Sequence, residues 1–390
     1  MNGVTDKKLL LALGGLAVFF PGAFLFGFPG VMAAQWQELL NVEKARIGQL
    51  MFFTLAGTGC SMYLSGKIQE KIAPHWLILV GTLACGFSVG AIARAFTLFH
   101  VFVWAFCEGF FSAFIYIPCL TVSQKLFPEQ KGLATGCINL VFGGAAAVMS
   151  PVFSFLLVTQ GYRETCRISM VLAVSTGIVC AFFMRGPSLS FQPLGGPGTV
   201  LGVGRILALK SFRYLWWVWA LAGAAGVSMI MLCASLGQSL GYDVTQYVMI
   251  LTGFSILNGI GRIVCGTLSD RISKRKILMH VFLMAGLAYL LMPFFHNLYV
   301  LSCLASFVGL AFGVLFTVSA PLVTDCFGIE NFGRVFGLVF TAYGFVAGFL
   351  GPWMSGVVLN LTYNNFSIVF AGFALFYLAS AILVRQVKKI

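Results

Sequence analysis

Long runs of apolar residues dominate the pattern along the chain, and short polar segments separate them. The runs are long enough to cross the hydrocarbon core of a bilayer as helices, which takes roughly 20 residues each. They are continuous and rich in Leu, Ala and Gly, whereas strands of a membrane barrel alternate over about 10 residues. We therefore predict twelve transmembrane helices, called spans 1 to 12, near residues 9–35, 48–66, 75–96, 99–124, 132–158, 166–185, 213–237, 246–269, 277–295, 298–324, 333–359 and 366–386.

The first span has the basic flank of a secretory signal, because Lys7 and Lys8 precede it. A signal core is shorter, about 7–15 residues, and the run here is longer and aromatic. We expect this span to be retained as a membrane helix.

Composition agrees with a membrane protein, since only 9% of the 390 residues are charged, against roughly 25% in soluble domains. The net charge of +13 would suit nucleic acid, but the positions of the basic residues argue against that partner. With a cytoplasmic N-terminus, eighteen Lys and Arg lie on the cytoplasmic face and five on the other, as the positive-inside rule requires. The five are Lys44, Arg46, Arg94, Arg163 and Arg167. We expect an integral protein of the cell (inner) membrane with both termini cytoplasmic.

The chain repeats itself at an offset of about 200 residues. The charged turn GTLSDRISKRK at 266–276 matches GKIQEKIAPHW at 66–76, with Gly, an acid and a base at the same places. Three residues of span 5 match residues of span 11 at an offset of 201, namely Gly136 with Gly337, Gly143 with Gly344 and Pro151 with Pro352. We therefore predict an N-terminal six-helix bundle at 1–186, a central cytoplasmic linker rich in Pro and Gly at 187–211, and a C-terminal six-helix bundle at 212–390.

Two related six-helix halves, with G-x-L-x-D-R-x-x-x-[RK] after span 8 and an altered copy after span 2, resemble the major facilitator superfamily. The stretches FPEQKGLATG (127–136), LNGIGRIVCGTLSDRI (257–272) and DCFGIENFGRVFGLVFTAYG (325–344) resemble its oxalate–formate exchanger and monocarboxylate transporter branch. The resemblance implies an all-α membrane protein with the major facilitator fold, which can function as a monomer. The copy after span 2 departs from the motif, with Glu70 for Asp and Ala73 for Gly.

The charged turns are candidates for a gate. In this superfamily the resemblance implies an ion-pair latch between helices that separate when the cytoplasmic side opens, which would involve Asp270 and Arg271 and, in the altered copy, Glu70. The alternative is that these charges only enforce topology.

Two charges stand well inside a span, Arg262 in span 8 and Glu108 in span 4. An ionised side chain at mid-bilayer costs roughly 2.5–3.5 kcal/mol on insertion scales. The repeat places Met62 and Gly309 at the equivalent positions, so the scaffold does not require either charge.

Arg262 lies one turn after Asn258 on the same helix face, and its guanidinium suits a carboxylate. The resemblance agrees, because the family's arginine in span 8 binds the substrate carboxylate; the alternative is a structural pairing with Glu108 or backbone carbonyls.

Glu108 is a candidate proton carrier, because burial favours the neutral form of a carboxyl group. It could instead face an aqueous vestibule or pair with another helix. Asp243, before span 8, and Asp325, at the end of span 10, are rival proton-coupling candidates.

Aromatic residues are candidates for the wall of the substrate site. Tyr116 lies in a Tyr-Ile-Pro sequence that matches the family's Tyr-x-Pro. Further candidates are Phe312 and Phe316 in span 10 and Phe340 and Tyr343 in span 11. Core packing is the alternative for each phenylalanine, because the chain has 40 of them. Asn139, polar at membrane depth, could bond another helix or the ligand.

Tyr343 bears on substrate charge. Oxalate exchangers of the family carry Lys in a Tyr-Thr-Ala-Lys context where this chain has Phe340-Thr341-Ala342-Tyr343. A dianion beside Arg262 alone keeps an uncompensated charge, and burying unpaired charge costs several kcal/mol. We therefore predict a monoanionic substrate.

These features favour a secondary active transporter of a small monocarboxylate of the lactate, pyruvate or formate type, moved with protons by alternating access. The alternatives are oxalate–formate exchange and a membrane sensor that binds the carboxylate without transporting it. We expect no metal and no cofactor, because the 11 cysteines are scattered singly without a C-x-x-C pair. No nucleotide-binding motif or catalytic triad appears, so an enzyme is the least supported class.

Overall fold

The computed structural model describes residues 3–42, 49–95, 97–185 and 201–389, and in these ranges every regular element is helical. The N-terminal half contains α1 (Gly3–Phe26), α2 (Phe28–Leu40), α3 (Leu50–Ile68), α4 (Pro74–Ile92), α5 (Leu98–Leu126) and α6 (Lys131–Phe183). The C-terminal half contains α7 (Val203–Ala208), α8 (Lys210–Ser239), α9 (Val244–Ser269), α10 (Lys274–Leu291), α11 (Leu298–Phe327), α12 (Phe332–Thr341), α13 (Met354–Leu361) and α14 (Phe366–Gln386). Two π-helical segments, Ala342–Ala347 and Phe349–Trp353, connect α12 with α13.

The all-α membrane architecture predicted from the sequence is confirmed. Within the described ranges, ten helical stretches are long and apolar enough to cross a membrane. One of them, α6, contains predicted spans 5 and 6, because Gly161 interrupts it with a φ of 80°. α3 is as long as α4 but less apolar, and it corresponds to span 2, so the described helices are consistent with the twelve-helix fold.

Two predicted spans are less regular than continuous helices. Span 1 is divided at Gly27, which caps α2 just before Pro29, a residue without the N–H that would continue the hydrogen-bond ladder. Span 11 contains the two π-helical segments, and Pro352 lies inside the second. Proline and glycine are the residues at which a helix most often changes its hydrogen-bond pattern.

Two compact units divide the chain. Unit 1 comprises residues 1–128, 137–200 and 332–337, and unit 2 comprises residues 129–136, 201–331 and 338–390. Unit 1 has an aromatic core in which Phe28 contacts Trp36, Trp104 and Phe153. In unit 2, the buried ring of Tyr289 contacts Tyr377 and Phe373. The predicted domain boundary at 187–211 stays a prediction, and its residues 187–200 lie outside the described ranges.

Glycine pairs explain why the two halves share a motif. In unit 1, a Cβ added to Gly66 would lie 2.0 Å from the carbonyl oxygen of Gly333. In unit 2, a Cβ added to Gly132 would lie 2.2 Å from the carbonyl oxygen of Gly266. The four residues are equivalent in pairs across the repeat, so the same close approach of two backbones occurs once in each unit.

Candidate substrate-binding site and charged clusters

Arg262 lies on α9 with its side chain almost fully buried, at 6% exposure. Its Nε donates a hydrogen bond to Oδ1 of Asn258, one helical turn earlier, at 3.1 Å. The guanidinium carbon lies 5.8 Å from the ring centroid of Phe316, within the range of a cation–π contact. The two polar residues that the sequence places on one helix face are therefore in direct contact.

The aromatic residues proposed for the wall form one cluster in unit 2. The ring of Phe316 lies 5.2 Å from Phe312, 5.9 Å from Phe340 and 5.3 Å from Tyr343, centroid to centroid. All four side chains are buried, and Tyr343 is 3% exposed. The Arg262 guanidinium and the Tyr343 ring both lie against Phe316, which places the phenol and the cation in one cluster. One cation, one amide and one phenol thus share an otherwise apolar setting.

Trp219 of α8 completes this cluster, and the sequence reasoning missed it. Its ring lies 4.6 Å from Phe340 and 4.9 Å from Phe316, and its Nε1 donates to Oγ of Ser319 at 3.1 Å. The sequence signal that could have indicated Trp219 is a pair of glycines, Gly223 and Gly226, which lie one and two turns later on the same face of α8. A Cβ added to Gly223 would lie 2.9 Å from the Tyr343 ring, and Gly226 packs against Phe312 in the same manner.

Tyr343 belongs to the π-helical segment Ala342–Ala347. Such segments inside α-helices frequently occur at functional sites, because the extra residue in the turn re-aims a side chain. The irregular part of span 11 therefore includes Tyr343, the residue that the sequence analysis relates to substrate charge.

Tyr116 and Asn139 lie in unit 1, and the structure pairs them. The Tyr116 hydroxyl donates to Oδ1 of Asn139 at 2.6 Å, and both side chains are buried. The ring of Tyr116 also packs on Phe142 at 4.8 Å. Asn139 thus bonds another helix, one of the two roles expected for it. The role of Tyr116 in substrate binding stays a prediction.

Glu108 lies on α5 and is 1% exposed. Its Oε1 accepts a hydrogen bond from the hydroxyl of Ser88 on α4. The thiol of Cys85 and the indole of Trp104 also face the carboxyl group. None of these three neighbours carries a charge, so the structure places Glu108 in contact with a second helix among neutral groups.

The two rival carboxylates have other contacts. Asp243 caps α9, accepting from the backbone N–H of Gln246 at 2.9 Å, while Gln246 accepts from the Asp243 backbone N–H. Asp325, at the end of α11, forms ion pairs with Lys274 at 2.8 Å and Lys131 at 3.2 Å. Each of these carboxylates therefore has a structural contact, a helix cap for Asp243 and ion pairs for Asp325.

Asp270 accepts hydrogen bonds from the backbone N–H groups of Gly132 at 2.7 Å and Leu133 at 3.0 Å. It thus caps the N-terminus of α6, where the helix dipole favours a negative charge. Arg271, the next residue, is exposed. The contacts of Asp270 are therefore with the backbone at the start of α6, and the gating roles of Asp270 and Arg271 stay predictions.

Glu70 occupies the equivalent position in unit 1, but its contact differs. Its carboxylate accepts two hydrogen bonds from the guanidinium of Arg334, from Nε and from Nη2. The repeat places Leu133 opposite Arg334. The longer Glu70 and the added arginine therefore replace the helix cap of Asp270 with a bidentate ion pair.

Comparison with known proteins consistently finds membrane transporters. The family model of the Major Facilitator Superfamily matches residues 11–236 and 221–389. Monocarboxylate transporter 13 of Rattus norvegicus is 24% identical over 367 residues, covering 92% of this chain and 84% of that protein. The oxalate:formate antiporter of Oxalobacter formigenes is 21% identical over 374 residues, covering 90% of this chain and 87% of that protein. The crystal structure of E. coli FucP in the outward conformation has a TM-score of 0.75 at 15% identity, covering 99% of this chain and 100% of that chain.

The helical fold, its repeat and these relatives define a membrane transporter and not an enzyme. More particularly, the chain belongs to the Major Facilitator Superfamily.

Proposed function

We propose that this protein is a secondary active transporter of a small monocarboxylate, of the lactate, pyruvate or formate type, which works by alternating access with proton coupling. The observation that carries the proposal is Arg262, a buried guanidinium in contact with Asn258 and set among aromatic rings. The named activities of the relatives, a monocarboxylate transporter and an oxalate:formate antiporter, point to the same substrate class.

The chemistry of the cluster suits a small monoanion. A guanidinium presents parallel N–H donors that match the two oxygens of a carboxylate. The rings of Phe312, Phe316 and Phe340 offer apolar surface to a short carbon tail, and the Tyr343 hydroxyl can exchange a hydrogen bond with the anion. One positive charge balances one carboxylate, which favours lactate over oxalate.

We assign proton coupling to Glu108. Its described neighbours are neutral, and a carboxyl group in such a setting gains from binding a proton. Asp243 caps a helix and Asp325 forms ion pairs, so each carboxylate has a structural role that Glu108 lacks, and both are weaker candidates. We further propose that the protein lies in the cell (inner) membrane with both termini cytoplasmic, since this orientation satisfies the positive-inside rule.

The contacts of Asp270 and Glu70 are the proposed gate. Each joins residues that the sequence repeat assigns to different halves of the chain, and each occurs in a charged turn of the repeat. We propose that these contacts break and re-form once in every transport cycle.

Uptake by proteoliposomes tests the function. Purified protein is reconstituted, and entry of labelled lactate, formate and oxalate is measured with and without an imposed inward proton gradient. We expect the gradient to drive accumulation of lactate or formate and to leave oxalate near the level of empty vesicles. One-for-one oxalate–formate exchange without a gradient effect would support the antiporter alternative, and absence of transport of any carboxylate would refute the proposed function.

A further inference from the structure

A pocket of about 570 Å³ opens at one end of α4 and the part of α6 that follows Gly161. All of its lining residues belong to unit 1. Three arginines, Arg94, Arg163 and Arg167, lie around it, and Phe87 and Met170 form apolar parts of its wall. It is separate from the Arg262 cluster, which belongs to unit 2.

The cations at this pocket are unusual for their predicted position. Only five Lys and Arg of the chain lie on the face predicted to be opposite the cytoplasm, and three of the five line this one pocket. The positive-inside rule explains cations on the cytoplasmic face and gives no reason for a cluster here. Topology therefore does not account for the three arginines.

The arrangement is also unfavourable for the helix itself. Arg163 and Arg167 are four residues apart on one face of α6, a spacing at which like charges repel. Glu164 forms an ion pair with Arg167 and offsets one charge. Arg94, just after α4, adds a third cation to the same pocket, so about two positive charges stay uncompensated by that pair. An anion in the pocket would relieve this repulsion.

The pocket changes from charged to apolar along the helix axes. Phe87 precedes Arg94 by seven residues and Met170 follows Arg163 by seven, which places each about 10 Å deeper at 1.5 Å per helical residue. Phe87 is 57% exposed, as expected of a side chain that faces lipid. The two helices approach closely at this depth, because a Cβ added to Gly90 would lie 2.4 Å from the sulfur of Met170.

We propose that this pocket binds the phosphodiester headgroup of an anionic glycerophospholipid. Guanidinium groups bind phosphate oxygens through paired N–H donors, the chemistry by which basic pockets between membrane helices on the cytoplasmic side bind anionic headgroups. The apolar wall that continues from the arginines toward Phe87 and Met170 fits the start of an acyl chain. A free phosphate shares the headgroup chemistry and lacks the chain, so the two sources are separable.

Native mass spectrometry of the purified full-length protein tests the proposal. The probes are dioleoylphosphatidylglycerol, dioleoylphosphatidylcholine and water-soluble glycerol 3-phosphate, each added at equal concentration. We expect phosphatidylglycerol to remain bound at least fivefold more often than either of the other two. Equal retention of phosphatidylcholine, or binding of glycerol 3-phosphate as strong as that of the lipid, would overturn the proposal.

Variants assign the binding to the pocket. The combined change Arg94→Gln, Arg163→Gln and Arg167→Gln should reduce phosphatidylglycerol retention at least fivefold, and Arg163→Gln alone about twofold to threefold. Lys71→Gln removes an exposed cation from the other end of α4 and should leave retention unchanged. The single variant keeps the test decisive if the triple variant unfolds. Unchanged retention in a folded triple variant, or in Arg163→Gln where the triple variant unfolds, would show that the lipid binds elsewhere.

Discussion

Arg262 lies where a charge is costly and the fold does not need one. An ionised side chain at membrane depth costs roughly 2.5–3.5 kcal/mol, and the equivalent position of the repeat holds Met62, which is 1% exposed. The same helix packing is thus achieved without a guanidinium. Binding of an anion is the function that a buried cation supplies and methionine does not.

Arg262→Lys keeps the charge and removes the paired donors, so it separates charge from geometry. We expect lactate affinity to fall about tenfold or more, because an ammonium does not reproduce the bidentate contact. Equilibrium binding of labelled lactate to purified protein measures the effect. Arg205→Lys, at an exposed position of α7, is the matched control. Affinity within twofold of the unmodified protein in Arg262→Lys would argue against bidentate recognition.

Tyr343→Lys adds a second cation to the Arg262 cluster. We expect preference to shift at least tenfold toward oxalate relative to lactate, because two cations balance a dianion that one leaves uncompensated. Competition of unlabelled oxalate against labelled lactate gives the ratio. Tyr343→Phe, which keeps the ring and removes the hydroxyl, should retain the preference for monocarboxylates. An unmodified protein that already binds both anions equally would refute this charge argument.

At the scale of helices, glycines of the repeat coincide with places where two backbones meet, but the repeat does not determine which side chains pair. The glycines at 66, 132, 266 and 333 mark close approaches that follow from a missing Cβ. The contact of Arg262 with Asn258 follows from helical spacing alone. The partner of Glu70 does not, because Arg334 is 264 residues away and only tertiary packing selects it.

The hydrophobic pattern of the sequence also did not predict the irregular helix geometry. The apolar run of span 11 predicts one continuous helix, whereas the structure has π-helical turns at Tyr343 and Pro352. The residues of this run are apolar whether the helix is an α-helix or a π-helix, so hydropathy does not distinguish the two. Trp219 was missed for a related reason, since one aromatic residue among many gains its role from the rings it contacts.

A double-mutant cycle tests the ion pair between Glu70, in the turn after α3, and Arg334 of α12. Glu70→Gln and Arg334→Gln should each slow lactate exchange by about threefold to tenfold, and the double variant should be no slower than either single variant. Rates of exchange in proteoliposomes give the coupling. Glu70→Gln combined with Lys8→Gln is the control cycle and should be additive, because Lys8 is exposed on α1 and takes no part in the ion pair. Additive effects of the Glu70 and Arg334 substitutions on the exchange rate would show that their contact has no role in the transport cycle.

At the scale of the whole molecule, net accumulation requires that protons and substrate move together. Glu108→Gln is neutral at every pH, so we expect it to retain lactate exchange and to lose accumulation driven by an inward proton gradient. The two modes are measured in the same proteoliposomes. Asp243→Asn, at the helix cap, should retain both modes apart from some loss of stability. Full uphill transport in Glu108→Gln would place the proton site elsewhere, and loss of uphill transport in Asp243→Asn would place it at that residue.

The central claim is that one buried arginine binds the transported monocarboxylate. Comparison of the unmodified protein with Arg262→Ala tests this claim most directly. Uptake of labelled lactate is measured for both in proteoliposomes under the same proton gradient, with equal amounts of folded protein. Removing one partner of a buried charge pair costs about 2–5 kcal/mol, so we predict that Arg262→Ala loses lactate binding by roughly 100-fold and shows no uptake above empty vesicles. Uptake by Arg262→Ala at a rate near that of the unmodified protein would contradict the account.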